Sequence, residues 1–263
     1  MKRLTTIFSN TSQQGFSLIE LAIVITIGGI IAIGLLTLGN IQFERTKIER
    51  TNARLDVIES ALLSYVTQEG KLPCPAHLNA ALNSSNYGIA EDCTAATIPA
   101  NTGMISAGSG NEEVWIGAVP SRSLNLNDRF MVDGWNNRFS YAVVKAAASS
   151  NIHLYLTTAT NGVITIGDWS DNQVTAATDN VVVGYVIISH GKDGGGSYSR
   201  VVTPSITSPT TPCAAGALDN ENCNGDSIFR DIRINDSTVN ADFFFDIIRW
   251  KPIHFLKELE VNP

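Results

Sequence analysis

Residues 14–38 read QGFSLIELAIVITIGGIIAIGLLTL, an almost uninterrupted apolar stretch near the start of a 263-residue chain. Its only charged residue is Glu20, and the next charge along the chain is Glu44. Because an α-helix rises about 1.5 Å per residue, a run of this length can cross a bilayer. The stretch therefore predicts a transmembrane helix at about residues 16–38. A carboxylate inside such a helix is costly, which marks Glu20 as a functional residue.

The leader before this stretch, residues 1–15, is unlike a secretory signal. It is polar, it contains Lys2 and Arg3, and it has no acidic residue. A signal peptide places its apolar core directly after the basic start and ends at a small-residue cleavage site, which is not found here. The two basic residues predict that this end stays in the cytoplasm and that the rest of the chain is exported.

The motif at residues 15–20, GFSLIE, resembles the prepilin motif of type IV pilins and type II secretion pseudopilins. The resemblance implies that a prepilin peptidase cuts after Gly15 and methylates the new amino group of Phe16. It also implies that Glu20 faces the Phe16 amine in the assembled filament. This agrees with the physics, because a buried amine and a buried carboxylate are tolerated only as a pair. The alternative is a plain membrane anchor that happens to contain a glutamate.

The apolar helix is predicted to continue, giving one helix over residues 16–70. Charged residues of both signs cover most of its second half, and Gly70 followed by prolines ends it. A soluble coiled coil is the alternative, but the apolar seam is short and is joined to a membrane span. The second half is therefore expected to lie on a folded domain. The seam consists of Ile41, Ile48, Leu55, Ile58, Leu62 and Tyr65.

The remaining residues, 71–263, predict one exported β-rich domain. Residues 71–110 indicate a loop because they lack periodicity. The tail, residues 243–260, is apolar and then helical in pattern, with Pro252 suited to a first helical turn. No helical crossovers separate the strands, which favours an antiparallel sheet. Strands are predicted at residues 114–119, 138–144, 152–157, 163–166, 181–189 and 227–234.

The order of elements fits the α+β pilin fold, in which a long N-terminal membrane-spanning helix packs on an antiparallel β-sheet domain. Two further phrases carry the resemblance beyond the N-terminus. Residues 133–141, DGWNNRFSY, look like the Asp-x-Trp-Gly-x-x-Tyr-x-Tyr turn of the major pseudopilins, with Asn136 or Asn137 where glycine is usual. Residues 188–194, ISHGKDG, resemble a loop of pseudopilin-like proteins.

Four cysteines lie in the exported part of the chain, where oxidising conditions favour disulfides. Three pairings are possible. We favour the two local ones, Cys74–Cys93 and Cys213–Cys223, because each closes a loop rich in Gly, Asn or Ser. A zinc site is the alternative, but no C-x-x-C spacing or nearby pair of histidines supports it.

Catalytic motifs are weak throughout the chain, so we expect no enzyme and no catalytic residues. Ser189 and His190 precede a glycine-rich turn, but neighbouring residues of a strand point to opposite faces and cannot pair as nucleophile and base. The glycines lack the spacing and the Lys-Ser/Thr ending of a P-loop. The four histidines, at positions 77, 153, 190 and 254, show no metal-ligand spacing.

We expect no cofactor, and calcium at a loop near the C-terminus is the alternative. Oxygen-bearing side chains at alternate positions, a glycine and a later carboxylate are typical of a calcium loop. The resemblance adds that major pseudopilins hold calcium in a loop near the C-terminus. We nevertheless interpret this loop as a polar turn tied by Cys213–Cys223, since Asn and Asp favour turns in any case. The candidate ligands are Asp219, Asn220, Asn222, Asn224, Asp226 and Asp231.

The resulting hypothesis is a structural subunit of a type II secretion pseudopilus or a type IV pilus. The resemblance implies a single-pass protein of the bacterial inner membrane with its C-terminal domain in the periplasm. Its partners would be prepilin peptidase, other pilin or pseudopilin subunits and the inner-membrane assembly machinery. The formal net charge of −7 argues against a broad nucleic-acid surface. The alternative is a membrane-tethered binding or adhesion protein that does not polymerise and uses loops 77–110 and 203–226.

Overall fold

The computed structural model describes 17–108, 113–152, 164–168, 182–200, 213, 218–235 and 244–260, except the side chains of 32–41, 257 and 259–260. The chain divides into two compact units, Met1–Thr46 and Lys47–Pro263. The leader and the predicted cleavage site, Gly15 and Phe16, lie outside the described residues.

Secondary structure follows the α+β order that the sequence predicts. Among the described residues, one long helix comes first, and strands with two short α-helices follow. In chain order the elements are α1 (Leu18–Glu69), β1 (Ile105–Ala107), β2 (Val114–Ala118), β3 (Ser140–Val144), α2 (Lys145–Ser149), β4 (Thr165–Gly167), β5 (Val183–Ser189), β6 (Ile228–Arg230), β7 (Ile247–Pro252) and α3 (Ile253–Glu260).

Helix α1 ends where the sequence predicts. Gly70 adopts a left-handed conformation with φ 65°, and its amide donates to the Val66 carbonyl over 2.9 Å. Glycine pays no side-chain penalty in that conformation, so it closes the helix. The last turns of α1 bury one apolar stripe completely in the core of the globular unit: Leu55, Ile58, Leu62 and Val66.

The main sheet has five strands in the order β1-β2-β3-β5-β7, and every pairing is antiparallel, as predicted. At its centre, Ile188 of β5 pairs with Ser140 of β3 on one side and with Ile248 of β7 on the other. Strands β2, β3 and β5 are buried along their whole length. This explains why their sequences are continuously apolar and do not alternate.

Three sequence expectations about the strands are wrong in part. Strand β1 lies within residues 71–110, which were expected to be a loop. Strands β4 and β6 form a separate two-stranded parallel pair, although antiparallel pairing was expected. Pro252 ends β7 and precedes α3, so the tail begins as a sheet strand. The strand expected at residues 152–157 lies outside the described residues except for Ile152.

Both disulfides that the sequence favours are present, Cys74–Cys93 and Cys213–Cys223. The first lies beside the end of α1, and both of its cysteines belong to the main core cluster. In this way the long loop after the helix is attached to the core.

Within the described part of the chain, no helix combines the length and the apolar character needed to cross a membrane.

Candidate functional site

The first turn of α1 is capped by Ser17 and Glu20, two residues of the prepilin-like motif. The backbone amide of Ser17 donates to a carboxylate oxygen of Glu20 over 3.0 Å, and the Ile19 amide approaches the Ser17 hydroxyl at 3.4 Å. The pattern is a capping box, in which a serine before the helix and a glutamate three residues later satisfy free amides. Sequence reasoning missed this role, although the spacing Ser-x-x-Glu is its usual signal.

The first turns of α1 leave their apolar side chains uncovered. Leu18 is 87% exposed and Ile30 is 67% exposed, and other apolar residues between them are more than half exposed. A contiguous apolar surface of this kind marks a site for a membrane or for another protein. Glu20 lies within this surface, so any partner that covers the helix must also accommodate a carboxylate.

A second site joins the two later phrases that resemble pseudopilin loops. The carboxylate of Asp133 accepts hydrogen bonds from the backbone amides of Trp135 and Asn137, at 2.8 and 2.9 Å. Its other oxygen accepts from the Ser189 hydroxyl at 2.7 Å. Burial raises the pKa of Asp133 to about 6, while these three donors favour its charged form.

The turn after Asp133 holds a residue in a conformation that favours glycine. Asn136 has φ 69°, which places it, and not Asn137, at the left-handed position of the turn. Asparagine tolerates this conformation better than most residues. The side chain of Asn137 instead donates to the Gly191 carbonyl at 2.9 Å, which adds a second link between the two phrases.

Ser189 and His190 do not contact each other's reactive atoms and bond to separate partners. While Ser189 faces Asp133, the Nε2 atom of His190 lies 2.7 Å from the Ser140 hydroxyl. His190 is buried, and burial lowers its pKa to about 4. His77 pairs with Glu91, and His254 is exposed on α3. His153 lies outside the described residues.

The six candidate calcium ligands are distributed over several hydrogen-bonding arrangements. Asn224 donates to Asp226 at 2.9 Å, and Asp226 accepts from the Ile228 amide, which are bonds of a polar turn. Asp231 accepts from the indole of Trp250. Within the described residues, no group of three or more acidic, histidine or cysteine side chains is arranged as a metal site.

Two of the six candidates contribute to a buried acidic region instead. Asn222 donates to the Asp246 carboxylate at 2.8 Å, and Asp219 accepts from the Phe245 amide at 3.1 Å. Burial, and then the charge of Asp193, raise the pKa of Asp219 to about 7. Burial also raises the pKa of Asp246 well above its usual range. Sequence reasoning missed Asp193 and Asp246, because neither follows the spacing of a calcium loop.

A cavity of about 500 Å³ lies beside the His190–Ser140 pair. Its wall combines residues 98–106, which include the start of β1, with residues near the Cys213–Cys223 disulfide. Phe229 and Tyr198 line it as well. The cavity therefore opens between the two loop regions that the alternative hypothesis assigns to binding.

Comparison with known protein families finds a match at the N-terminus of this chain. The prokaryotic N-terminal methylation motif matches residues 10–36. The chain carries the prepilin signature. This signature, the cleavage and methylation site of type IV pilins and pseudopilins, indicates a pilin-like precursor that is anchored in a membrane. It implies processing by prepilin peptidase and assembly with other pilin subunits. No curated protein and no solved structure matches the chain.

Proposed function

We propose that this prepilin-like chain is a structural subunit of a type II secretion pseudopilus or a type IV pilus. The observation that supports this most directly is the prepilin signature at the head of α1, a helix whose later turns form part of an antiparallel sheet domain's core. In the proposed filament, the exposed apolar turns of α1 pack together, and Glu20 pairs with the methylated amine of Phe16. The globular unit provides the outer surface.

The pseudopilus is the destination that the Asp133 turn favours. Its phrase resembles that of major pseudopilins, and its carboxylate is bonded to the second pseudopilin-like phrase through Ser189. The pilus remains the competing destination within the same proposal. Expression beside a secretion system or a pilus system, each lacking its own subunit, distinguishes the two, because a subunit enters only the filament whose contacts it completes.

Intact-mass and N-terminal peptide mass spectrometry on protein from its native membrane is the first test. We expect a chain that begins with N-methylated Phe16. In a second step, Glu20→Gln removes the charge at constant shape, and Glu69→Gln, at the exposed end of α1, is the matched control. The first variant is expected to be cleaved but absent from filaments, whereas the control assembles. A chain that still begins at Met1 in cells with an active peptidase contradicts the proposal.

A membrane-tethered binding protein is the second candidate, and the cavity beside His190 is the observation that favours it. Under this alternative, the loops around the cavity recognise a ligand, and the chain stays monomeric. Glu20→Gln would then leave both localisation and binding unchanged. Retention of all function in that variant would replace the filament proposal with this one.

Calcium binding at residues 219–231 is proposed separately from assembly. Thermal unfolding in 1 mM CaCl₂, compared with EDTA and with 1 mM MgCl₂, tests it. A rise in Tm that is specific to calcium and absent from Asp226→Asn supports the site. An equal Tm in all three solutions contradicts it and leaves a polar turn.

A further inference from the structure

The second half of α1 carries a groove lined by three arginines. Its volume is about 380 Å³, and its walls come from α1 and from the short 3-10 turn at Asp128–Met131. Arg50 and Arg129 are exposed at its edges, whereas Arg54 is half-buried. The lining residues are Arg50, Ala53, Arg54, Val57, Arg129 and Phe130.

Positive charge is concentrated at this groove although the chain as a whole is acidic, with a net charge of −7. Burial, and next the charge of Arg50, lower the pKa of Arg54. Its Nη1 atom donates to the carbonyls of Val132 and Asp133, at 2.6 and 2.8 Å. The nearby Asp133 carboxylate offsets part of the charge of Arg54. With Arg50 and Arg129 added, the groove still presents a local positive field on a negative protein.

Another flank of the same helix carries two carboxylates, and the exposed Arg45 lies one turn before the first of them. Glu49 and Asp56 are both exposed, and their spacing of seven residues is close to two helical turns. At 3.6 residues per turn, they lie roughly 130° around the axis from Arg50 and Arg54. The two flanks thus lie on either side of the surface that faces away from the core.

The ridge between the flanks consists mostly of small side chains. Ala53, Ser60 and Ser64 are exposed along it, and the larger Val57 is 39% exposed. Small residues let two helices approach closely, so charged side chains on the flanks of neighbouring helices can meet. Arginine and carboxylate side chains form the strongest of such contacts, because their hydrogen bonds are charge-assisted and can be bidentate.

We propose that the arginine groove of one subunit docks the acidic flank, Glu49 and Asp56, of a second copy of this chain. Identical subunits that repeat in one orientation make head-to-tail contacts, in which two different surfaces of the chain meet and the contact can propagate without closing. A chain with opposite charges on the two flanks of one exposed ridge suits such a contact. This inference rests on the proposed filament and specifies which surfaces form it.

Charge reversal tests the docking without disturbing the bonds of Arg54. Arg50→Glu with Arg129→Glu makes the groove acidic, and Glu49→Arg with Asp56→Arg makes the flank basic. Each double variant is expected to reduce incorporation into filaments by about tenfold or more, because like charges then face each other. The controls Arg233→Glu and Glu69→Arg each reverse one charge of the same sign at another exposed position, half the change of a double variant, and are expected to assemble normally.

Co-expression of the two double variants is the sharpest readout. The acidic groove of the first then meets the basic flank of the second, and the arginine groove of the second meets the acidic flank of the first. Mixed filaments are expected to recover, as is a single chain that carries all four reversals. Ala53→Cys with Ser60→Cys, at two uncharged exposed positions of the ridge, is tested for a ladder of cross-linked copies and provides a measurement that leaves the charges in place.

The outcomes separate this inference from the proposed function. If the wild-type chain forms no filament, the proposed function fails and the docking fails with it. If the wild-type chain assembles and both double variants assemble equally well, only the docking is overturned.

The full-length protein is also tested for binding to a double-stranded oligonucleotide at physiological salt. Binding that disappears in Arg50→Glu with Arg129→Glu, while assembly persists, would overturn self-docking in favour of a nucleic-acid surface.

Discussion

The Ser189 hydroxyl donates a hydrogen bond to the Asp133 carboxylate over 2.7 Å, across 56 positions of sequence. With the amides of Trp135 and Asn137 on its other oxygen, this carboxylate joins the turn before β3 to the end of β5. A buried carboxylate with three donors is stable only while all of them are present, since each lost partner leaves a desolvated charge.

Replacement of Asp133 by alanine is expected to destabilise the globular unit by about 3 kcal/mol, because three hydrogen bonds disappear and buried donors lose their acceptor. Ser189→Ala removes one of the three and is expected to cost about 1–2 kcal/mol. Urea unfolding of both variants and of the double variant measures their coupling. Strictly additive effects would contradict a shared network.

Asp133→Asn tests the charge separately from the hydrogen bonds. Because the folded-state pKa of Asp133, about 6, lies above the ordinary 3.8, the folded state holds this proton more tightly than the unfolded state. The wild type therefore loses stability from this group as pH rises from about 4 to 6. Asparagine is expected to flatten the curve of unfolding free energy in that window. If the unfolding free energy of Asp133→Asn depends on pH between about 4 and 6 as steeply as that of the wild type, another group dominates this window.

Gly134, the next residue, allows the turn to lie directly against α1. Its amide donates to the Thr51 hydroxyl at 2.9 Å, and a Cβ atom built on it would meet the carbonyl of Lys47 and lie 2.9 Å from that residue's Cα. Because a backbone in a helix cannot move away cheaply, Gly134→Ala is expected to cost about 2–3 kcal/mol.

Gly184→Ala is the matched control for this substitution. Its Cβ would lie 2.9 Å from the end of the Leu256 side chain, which can rotate away. We expect a cost below about 1 kcal/mol there. Thermal unfolding of the two variants provides the comparison, and an equal loss in both would contradict the role given to close packing at Gly134.

Arg138 is a buried cation that holds two loops through their backbone. Its guanidinium donates to the carbonyls of Leu78 and Ala80 at 2.8 and 2.6 Å, and to those of Ser199 and Arg200 at 3.1 and 3.3 Å. Arg138→Leu removes the guanidinium donor from these carbonyls and is expected to cost about 3–5 kcal/mol. Lysine has fewer donors than arginine, so the free energy of unfolding of Arg138→Lys is expected to lie between those of the wild type and Arg138→Leu.

The exposed Arg233 supplies the control for this prediction. Arg233→Leu is expected to change the unfolding free energy by no more than about 0.5 kcal/mol. Limited proteolysis, combined with mass spectrometry, shows where each variant opens. Cleavage near residues 78–80 and 199–200 in Arg138→Leu is expected, and protection of both sites equal to the wild type would rule out this anchoring role.

Sequence reasoning predicted the parts of this fold that depend on local signals. The stop at Gly70 follows from glycine's left-handed conformation, and the central strands follow from continuous apolar runs. It missed β1 because three residues, ISA, carry almost no pattern and become a strand only by pairing with β2. The parallel pairing of β4 with β6 likewise depends on a distant partner.

The same distinction between local signals and distant partners applies to the candidate site. The motif around Glu20 is compact and can be identified from six consecutive residues, whereas the Asp133–Ser189 bond joins residues that no spacing rule relates. The calcium expectation follows a local rhythm of oxygen ligands and stays a prediction. The fold turns Asp219 and Asn222 toward Asp246, and Asp231 toward Trp250. Side-chain direction is set by tertiary packing, which a loop pattern does not contain.

His190 provides the last prediction, which concerns acid stability. Burial lowers the pKa of this histidine to about 4, below the ordinary value of 6.5, so the unfolded state binds its proton more readily. The group therefore contributes stability above about pH 6.5 that is progressively lost as pH falls toward 4. The contribution of Asp133 has the opposite sign, because it increases the free energy of unfolding as pH falls from about 6 to 4.

NMR of the His190 ring separates the two opposing contributions. We expect its Cε1 proton to keep the chemical shift of a neutral imidazole down to about pH 5 in the folded protein, and to titrate near 6.5 in urea. Ser140→Ala removes the hydroxyl at Nε2 but not the burial, so the ring should still stay neutral. Titration of the folded His190 ring near pH 6.5 would show that water reaches the ring through the adjoining cavity, and would contradict its burial.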